Sequence, residues 1–181
     1  MIFKFNVELS DKDYLDYNIF WTLKSPYGKK QMMQYRIILT VFFVVISFVF
    51  LCGGRFSIDS FIGIVPYWIV FVLIQLGLNA FFKWVLKGQV KSLKKSGKMG
   101  YTPSSTVEFY DDHFIEISAE NKIEQKYTAV ERISVVGDKV VYIHVNNVMS
   151  YILPFDCFES EAQRNDFLEF IKSKCENVKI Y

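Results

Sequence analysis

Two long stretches without a single charge, separated by a short break, limit what this chain can become more than any other feature. The first, IILTVFFVVISFVFLC, covers residues 37–52; the second, FIGIVPYWIVFVLIQLGLNAFF, covers residues 61–82. At a helical rise of about 1.5 Å per residue the second is roughly 33 Å long, enough to cross a hydrocarbon core of about 30 Å. The first is shorter, but with Tyr35 and Gly53-Gly54 as interfacial flanks it approaches the roughly 20 residues a spanning helix needs. A two-helix membrane hairpin is expected, with spans at about residues 35–54 and 60–82.

The distribution of charge orients that hairpin. The net charge of +2 over 181 residues conceals two unlike halves. Residues 1–98 carry thirteen Lys and Arg against five Asp and Glu, whereas residues 99–181 carry eight against fourteen. Lys24, Lys29, Lys30 and Arg36 precede the first span, and Lys83, Lys87, Lys91, Lys94, Lys95 and Lys98 follow the second. The connecting GGRFSID holds only Arg55 and Asp59. The positive-inside rule then puts both termini in the cytoplasm and the loop outside. Basic clusters outside both ends of two uncharged runs also argue against a hairpin buried in a soluble protein.

A cleaved signal peptide is not expected, because the first apolar run begins only at Ile37 and bulky residues follow it rather than a small-residue cleavage site. Cys52, Cys157 and Cys175 show no C-x-x-C spacing, and the last two fall in the expected cytoplasmic part, so no disulfide is expected.

Along the chain, residues 1–9 alternate, with Phe3, Phe5, Val7 and Leu9 on one side and Lys4, Asn6 and Glu8 on the other. A lone strand is not stable, so this one is expected to join the sheet of the C-terminal half. Residues 10–30 read as an amphipathic helix. Ser10 and Asp13 have capping-box spacing, Leu15, Ile19, Phe20 and Leu23 fall near helical period, and Pro26 and Gly28 end it. Its aromatic face suits either the headgroup level of a membrane or the soluble domain. Residues 31–98 then hold the hairpin and a basic stalk. Folding the hairpin about its loop brings Thr40 to the depth of Gln75, and a hydrogen bond between them is expected. Six lysines beside an anionic leaflet contribute about 1 kcal/mol each where they lie near its surface. Lys29, Lys30, Arg36, Lys83, Lys87, Lys91, Lys94 and Lys95 are therefore the expected anionic-lipid contacts.

From Thr106 the rhythm changes to short strands with turn punctuation: STVEFY, HFIEIS, KIEQKYT, ERISVV, KVVYIHV and VMSYILP. Pro154 and FDCF follow, and Ser160 starts a final helix with Gln163 in capping position. On that helix Phe167, Leu168, Phe170, Ile171 and Cys175 make a face too wide for a lone surface helix. Residues 99–181 are expected to form an α+β soluble domain: one strongly bent antiparallel sheet of six or seven strands, capped by the C-terminal helix.

The order of parts, together with "TVEFYDDHFIEIS", "YTAVERISVVGDKVVYIHVNNVMSYILPFDCF" and the closing helix, resembles the YcxB-like family of small bacterial membrane proteins. The resemblance implies a C-terminal domain similar to bacterial pleckstrin-homology-like domains and a place in the bacterial inner membrane. It transfers no catalytic residues.

The residues themselves argue against an enzyme. His113 and His144 lie in strands without partners at metal-ligand spacing, Asp111-Asp112 fits turn chemistry, and no nucleophile elbow, phosphate loop or H-E-x-x-H motif is present. No catalytic residue, cofactor or metal is expected. Nucleic acid is an unfavourable partner for an acidic domain. Two functions stay open: a membrane-anchored module that offers its cytoplasmic domain to a protein partner at the inner leaflet, or an accessory or immunity-type protein acting through its spans. A homo-oligomer is compatible with either.

Overall fold

The computed structural model describes residues 1–52, 58–97, 99–146 and 149–181, and the side chains among them other than those of residues 50–61. Residues 53–57 of the expected loop, Lys98 of the stalk and Asn147 of an expected turn lie outside the described residues, as do the side chains of Arg55, Cys52 and Asp59.

The chain begins with β1 (Phe3–Glu8) and α1 (Asp11–Ile19), followed by a π-helical turn at Phe20–Lys24. The two long helices are α2 (Pro26–Cys52) and α3 (Ile58–Lys95). Then come β2 (Ser104–Phe109), β3 (His113–Ser118), β4 (Lys122–Lys126), β5 (Arg132–Val136), β6 (Val140–His144), β7 (Ser150–Pro154), α4 (Glu161–Lys174) and β8 (Val178–Ile180). Two compact units result. One combines Met1–Tyr17 with Leu93–Tyr181, and the other is Asn18–Ser92.

In the first unit the strands form two four-stranded sheets, ordered β1-β2-β3-β4 and β7-β6-β5-β8. This corrects the expectation of one bent sheet of six or seven strands. The 3₁₀ turn Tyr127–Ala129 stands between β4 and β5, and no ladder joins them. β1 pairs antiparallel with β2 from Phe3↔Phe109 to Glu8↔Ser104, so the helical hairpin is an insertion between two adjacent strands. β8, which the sequence reading did not contain, pairs parallel with β5.

The two sheets and α4 enclose a core dense in aromatic rings. Phe167, on α4, has no exposed surface and meets Phe3, Phe5, Phe109 and Phe158 at centroid distances of 5.5, 5.1, 4.8 and 5.4 Å. Most of these pairs are edge-on, the arrangement aromatic quadrupoles favour. The helix is started by Ser160, whose Oγ accepts from the Gln163 amide, while Gln163 Oε1 accepts from the Glu159 amide. The first of these bonds is what the Ser-x-x-Gln spacing encodes; the return bond reaches the amide of the residue before the cap.

In the second unit, the expected single helix over residues 10–30 is interrupted at Ser25. Ser25 Oγ accepts from the Gly28 amide, which makes it the N-cap of a new helix with Pro26 at the first helical position. Proline suits that position because its missing N–H has no intrahelical partner there. Gly28 is required by close approach: a Cβ built on it would overlap the carbonyl oxygens of Trp21 and Thr22. Pro26 and Gly28, expected to end the helix over residues 10–30, begin α2 instead.

α2 and α3 are both long and apolar enough to cross a membrane, and most of their apolar side chains face outward, including Phe42, Phe48, Leu73 and Leu76. α3 continues as one helix through Pro66 into the lysine-bearing segment that ends at Lys95.

Candidate membrane and interaction surfaces

Where the helices of the hairpin meet, apolar packing gives way to a short polar seam. Gln75 Nε2 donates to Thr40 Oγ1 at 3.3 Å and to the Arg36 carbonyl at 3.3 Å, and Arg36 Nη2 donates to Asn79 Oδ1 at 3.4 Å. The expected Thr40–Gln75 contact is therefore present. Above it, Phe43 stacks on Phe71 at 4.4 Å and meets Trp68 edge-on at 5.2 Å. A groove of about 620 Å³ opens beside them, lined by Val44, Ser47, Phe48, Val65, Trp68 and Val72 among others, and is almost wholly apolar.

The expected lipid-contacting cations lie on these helices. Lys29 and Lys30 occupy the first turns of α2 and are exposed; Arg36 is half-buried. Lys83, Lys87, Lys91 and Lys94 recur at steps of four, four and three along α3, so they share one face, and Lys95 adjoins it. All five lysines are exposed. Lys94 differs from the others in pairing with Asp11 on α1, whose other carboxylate oxygen accepts from Tyr101 at 2.8 Å. These two hydrogen bonds hold the Asp11 carboxyl below the usual carboxylate range. Tyr101 is pushed up to about 12, first by desolvation and then by Asp11.

Within the first unit, residues 11–17 of α1 belong to the folded domain. Tyr14 packs on Tyr101 at 5.1 Å, and Tyr17 meets Tyr142 edge-on at 5.2 Å. Of the two environments the sequence left open for this segment, residues 11–17 take the domain surface. The reason is the far face of the second sheet. Val141 and Ile143 of β6 point into the core, so Tyr142 and His144 point out, yet both are buried.

That covered face is polar. His144 lies between Ser150 Oγ, 2.8 Å from Nδ1, and Ser134 Oγ, 3.1 Å from Nε2, and Tyr17 donates its hydroxyl to Ser150 Oγ at 2.8 Å. Arg132, the cross-strand neighbour of His144, is buried as well. A serine beside a histidine invites comparison with a nucleophile and its base, but general-base catalysis needs a pKa near the working pH. Burial, reinforced by Arg132, presses His144 down to about 3. At that value the imidazole is neutral near pH 7, and it bridges the hydroxyls of Ser134 and Ser150.

The other residues singled out in the sequence make local contacts. His113 Nδ1 sits 2.6 Å from Asp112 Oδ1 and its ring stacks on Tyr110 at 4.8 Å, while Lys174 pairs with Asp111 at 2.6 Å. Asp111 and Asp112 thus shape and tether the β2–β3 turn, closed by the Tyr110 amide donating to the His113 carbonyl. Cys157 is pushed up to about 12 by burial, which favours the thiol over the thiolate. Among the described residues no three His, Cys, Asp or Glu side chains gather as metal ligands would.

β8 and the outer-face cluster are not among the features expected from the sequence. The alternation Val178-Lys179-Ile180 was a strand signal, though only three residues long; nothing local marked Ser134, His144 and Ser150 as neighbours.

Comparison with known families gives one finding: residues 109–171, from the end of β2 into α4, match the family model described as YcxB-like protein. It is the family that the motifs in the sequence resemble. No curated protein and no solved structure matches the chain.

Proposed function

We propose that this chain, with its YcxB-like segment at residues 109–171, is a non-enzymatic membrane-anchored protein. In this reading α2 and α3 cross the inner membrane of a bacterial cell, both termini are cytoplasmic, and the β-rich domain offers a surface to a protein partner at the inner leaflet. The observation that carries it is the insertion of the hairpin between β1 and β2. A partner held by the domain is held by a chain that is anchored on both flanks of one strand pair.

Several features support the parts of this reading. Outward-facing residues such as Phe42 and Leu76 form an apolar surface well beyond what soluble monomers expose, which lipid would cover. Two four-stranded sheets closed by a C-terminal helix are compatible with a pleckstrin-homology-like domain. The charges segregate: Asn18–Ser92 holds eight Lys and Arg against one Asp, while the other unit holds thirteen against eighteen Asp and Glu. Lys29, Lys30, Arg36, Lys83, Lys87, Lys91 and Lys95 then face anionic headgroups, with Lys94 partly diverted to Asp11. The acidic domain disfavours nucleic acid and an anionic lipid ligand of its own.

A second reading, in which the spans themselves act on another membrane protein or on a second copy, is favoured by the Arg36–Thr40–Gln75–Asn79 seam. Polar residues in a span are costly and often mark function. One exchange separates the two. Residues 37–82 are replaced by an unrelated two-span hairpin, and proteins crosslinked in native membranes are compared. Retention of the same captured protein supports the domain as the binding part; its loss, with the domain still folded, transfers the role to the spans.

A further inference from the structure

The last strand is laid along β5 by backbone bonds, with Val178 and the following Tyr181 as its half-buried side chains. Beyond Asn177, whose carbonyl accepts from the Ile133 amide and whose side chain donates to the Glu131 carbonyl, the chain lies along β5 as Val178–Ile180. The Tyr181 amide donates to the Val135 carbonyl, and the Gly137 amide donates to the Tyr181 carbonyl, each at 2.9 Å. Val178 is half-buried against the core, but Lys179 is exposed and Ile180 is 73% exposed. A three-residue strand with two exposed side chains and one half-buried one, followed by a half-buried Tyr181, has lower local stability than the β5 edge beneath it, which is anchored in the core through Ile133 and Val135.

We infer that the β5 edge is a strand-acceptor site, filled in this structure by β8 and available to an extended segment of a partner protein that displaces it. This rests on the domain being the binding part, and it names the partner's chemistry. The occupant on the page shows what fits: a strand parallel to β5, apolar where Val178 sits, basic at the position of Lys179. Main-chain bonds supply affinity in such strand addition, and the alternate side chains supply selectivity. A basic residue is favoured because the unit as a whole carries an excess of acidic residues, thirteen Lys and Arg against eighteen Asp and Glu. β8 acts as a competitor in cis, at the high effective concentration that a short tether confers.

The test uses the full chain in detergent micelles and a variant lacking residues 178–181, which keeps Asn177 and its two bonds. The probe is a dye-labelled synthetic peptide with the sequence of residues 177–181, followed by fluorescence polarisation. The peptide is expected to bind the shortened chain at least tenfold more tightly than the full chain, and a peptide carrying the Lys179→Pro change, which lacks a strand N–H, is expected to lose that binding. Equal binding to both chains would place the peptide on another edge and overturn the inference. So would absence of binding to a shortened chain that retains its fold by circular dichroism, or a dimer of the full chain held by exchange of β8. If the shortened chain does not fold, β8 is an integral strand and the inference fails on that ground.

Hydrogen exchange on the unaltered chain decides independently of any variant. The Tyr181 and Gly137 amides are expected to exchange at least tenfold faster than those of Val141 and Ile143; exchange of all four at one global rate would rule out displacement. Any of these failures leaves the crosslinked partner of the anchored domain unaffected, so the two readings fall separately.

Discussion

Replacing Phe5 by alanine tests whether a strand at one end of the chain completes a domain built mostly at the other. Phe5 is 1% exposed and its ring meets Phe158 at 4.5 Å, Phe167 at 5.1 Å and Phe109 at 5.9 Å. Truncation of a buried Phe costs about 3–5 kcal/mol, the upper part applying where the surroundings do not collapse into the space. Collapse is hindered here, because Phe167 on α4 packs on both Phe109 of β2 and Phe158 of the segment before α4. A convenient reporter lies in the same core: Cys175 is buried, 4.0 Å from the Val130 carbonyl. In a Cys52→Ser, Cys157→Ser background, alkylation of Cys175 reports opening of the domain when opening equilibrates faster than labelling. At about 1.4 kcal/mol per tenfold, Phe5→Ala is expected to accelerate labelling by roughly two to three and a half orders of magnitude. Asn6→Ala, on the solvent face of the same strand, is expected to change it by no more than about threefold. A Phe5→Ala rate equal to that of the parent would refute β1 as part of this core.

Other substitutions probe the remaining elements. Gly28→Ala is expected to destabilise the start of α2 by about 1–3 kcal/mol, since the added methyl meets backbone rather than flexible side chain, and appears as new protease sensitivity near residues 24–28 in micelles. Gln75→Leu removes the link to Thr40 and the Arg36 carbonyl and is expected to weaken the hairpin by about 0.6–2 kcal/mol, read from its unfolding in mixed micelles. For His144 the folded pKa is about 3, below the ordinary value of 6.5, so the unfolded chain binds the extra proton first. Stability is therefore expected to fall as pH drops from 6.5 towards 4.5, with a limiting slope of about 1.4 kcal/mol per pH unit. Glu116, raised by burial, acts in the opposite sense, so the measure is the difference in urea midpoint between pH 7 and pH 5 for the parent and His144→Asn. Equal differences would show that His144 does not carry the effect.

Local pattern carried the parts of this protein that a short window can express. The uncharged runs wrote α2 and α3, the Ser10/Asp13 and Ser160/Gln163 spacings wrote two helix starts, and alternation wrote β1 to β7. Gly137, at φ 50°, marks the turn between β5 and β6, where a left-handed residue is needed. The Thr40–Gln75 contact was legible because a hairpin fixes the depth of its two arms. In each case the deciding interaction lies within a few residues or follows from one symmetry.

Assembly was settled only by contacts far apart in sequence. Alternation says that a strand has a buried face and is silent about its neighbour, so the division into two sheets and the β1–β2 pairing across an inserted hairpin required the fold itself. Tyr17 shows the same limit: an aromatic on an amphipathic helix suits lipid or protein alike, and the polar patch of Ser134, His144 and Ser150 that receives it is assembled from three strands. Pro26 reads as a stop when only its missing N–H is counted, and as a beginning once Ser25 caps the helix that follows. Hydropathy and spacing act through nearest neighbours along the chain, whereas strand partners, burial of polar groups and close approach of backbones depend on which distant surfaces finally exclude water together.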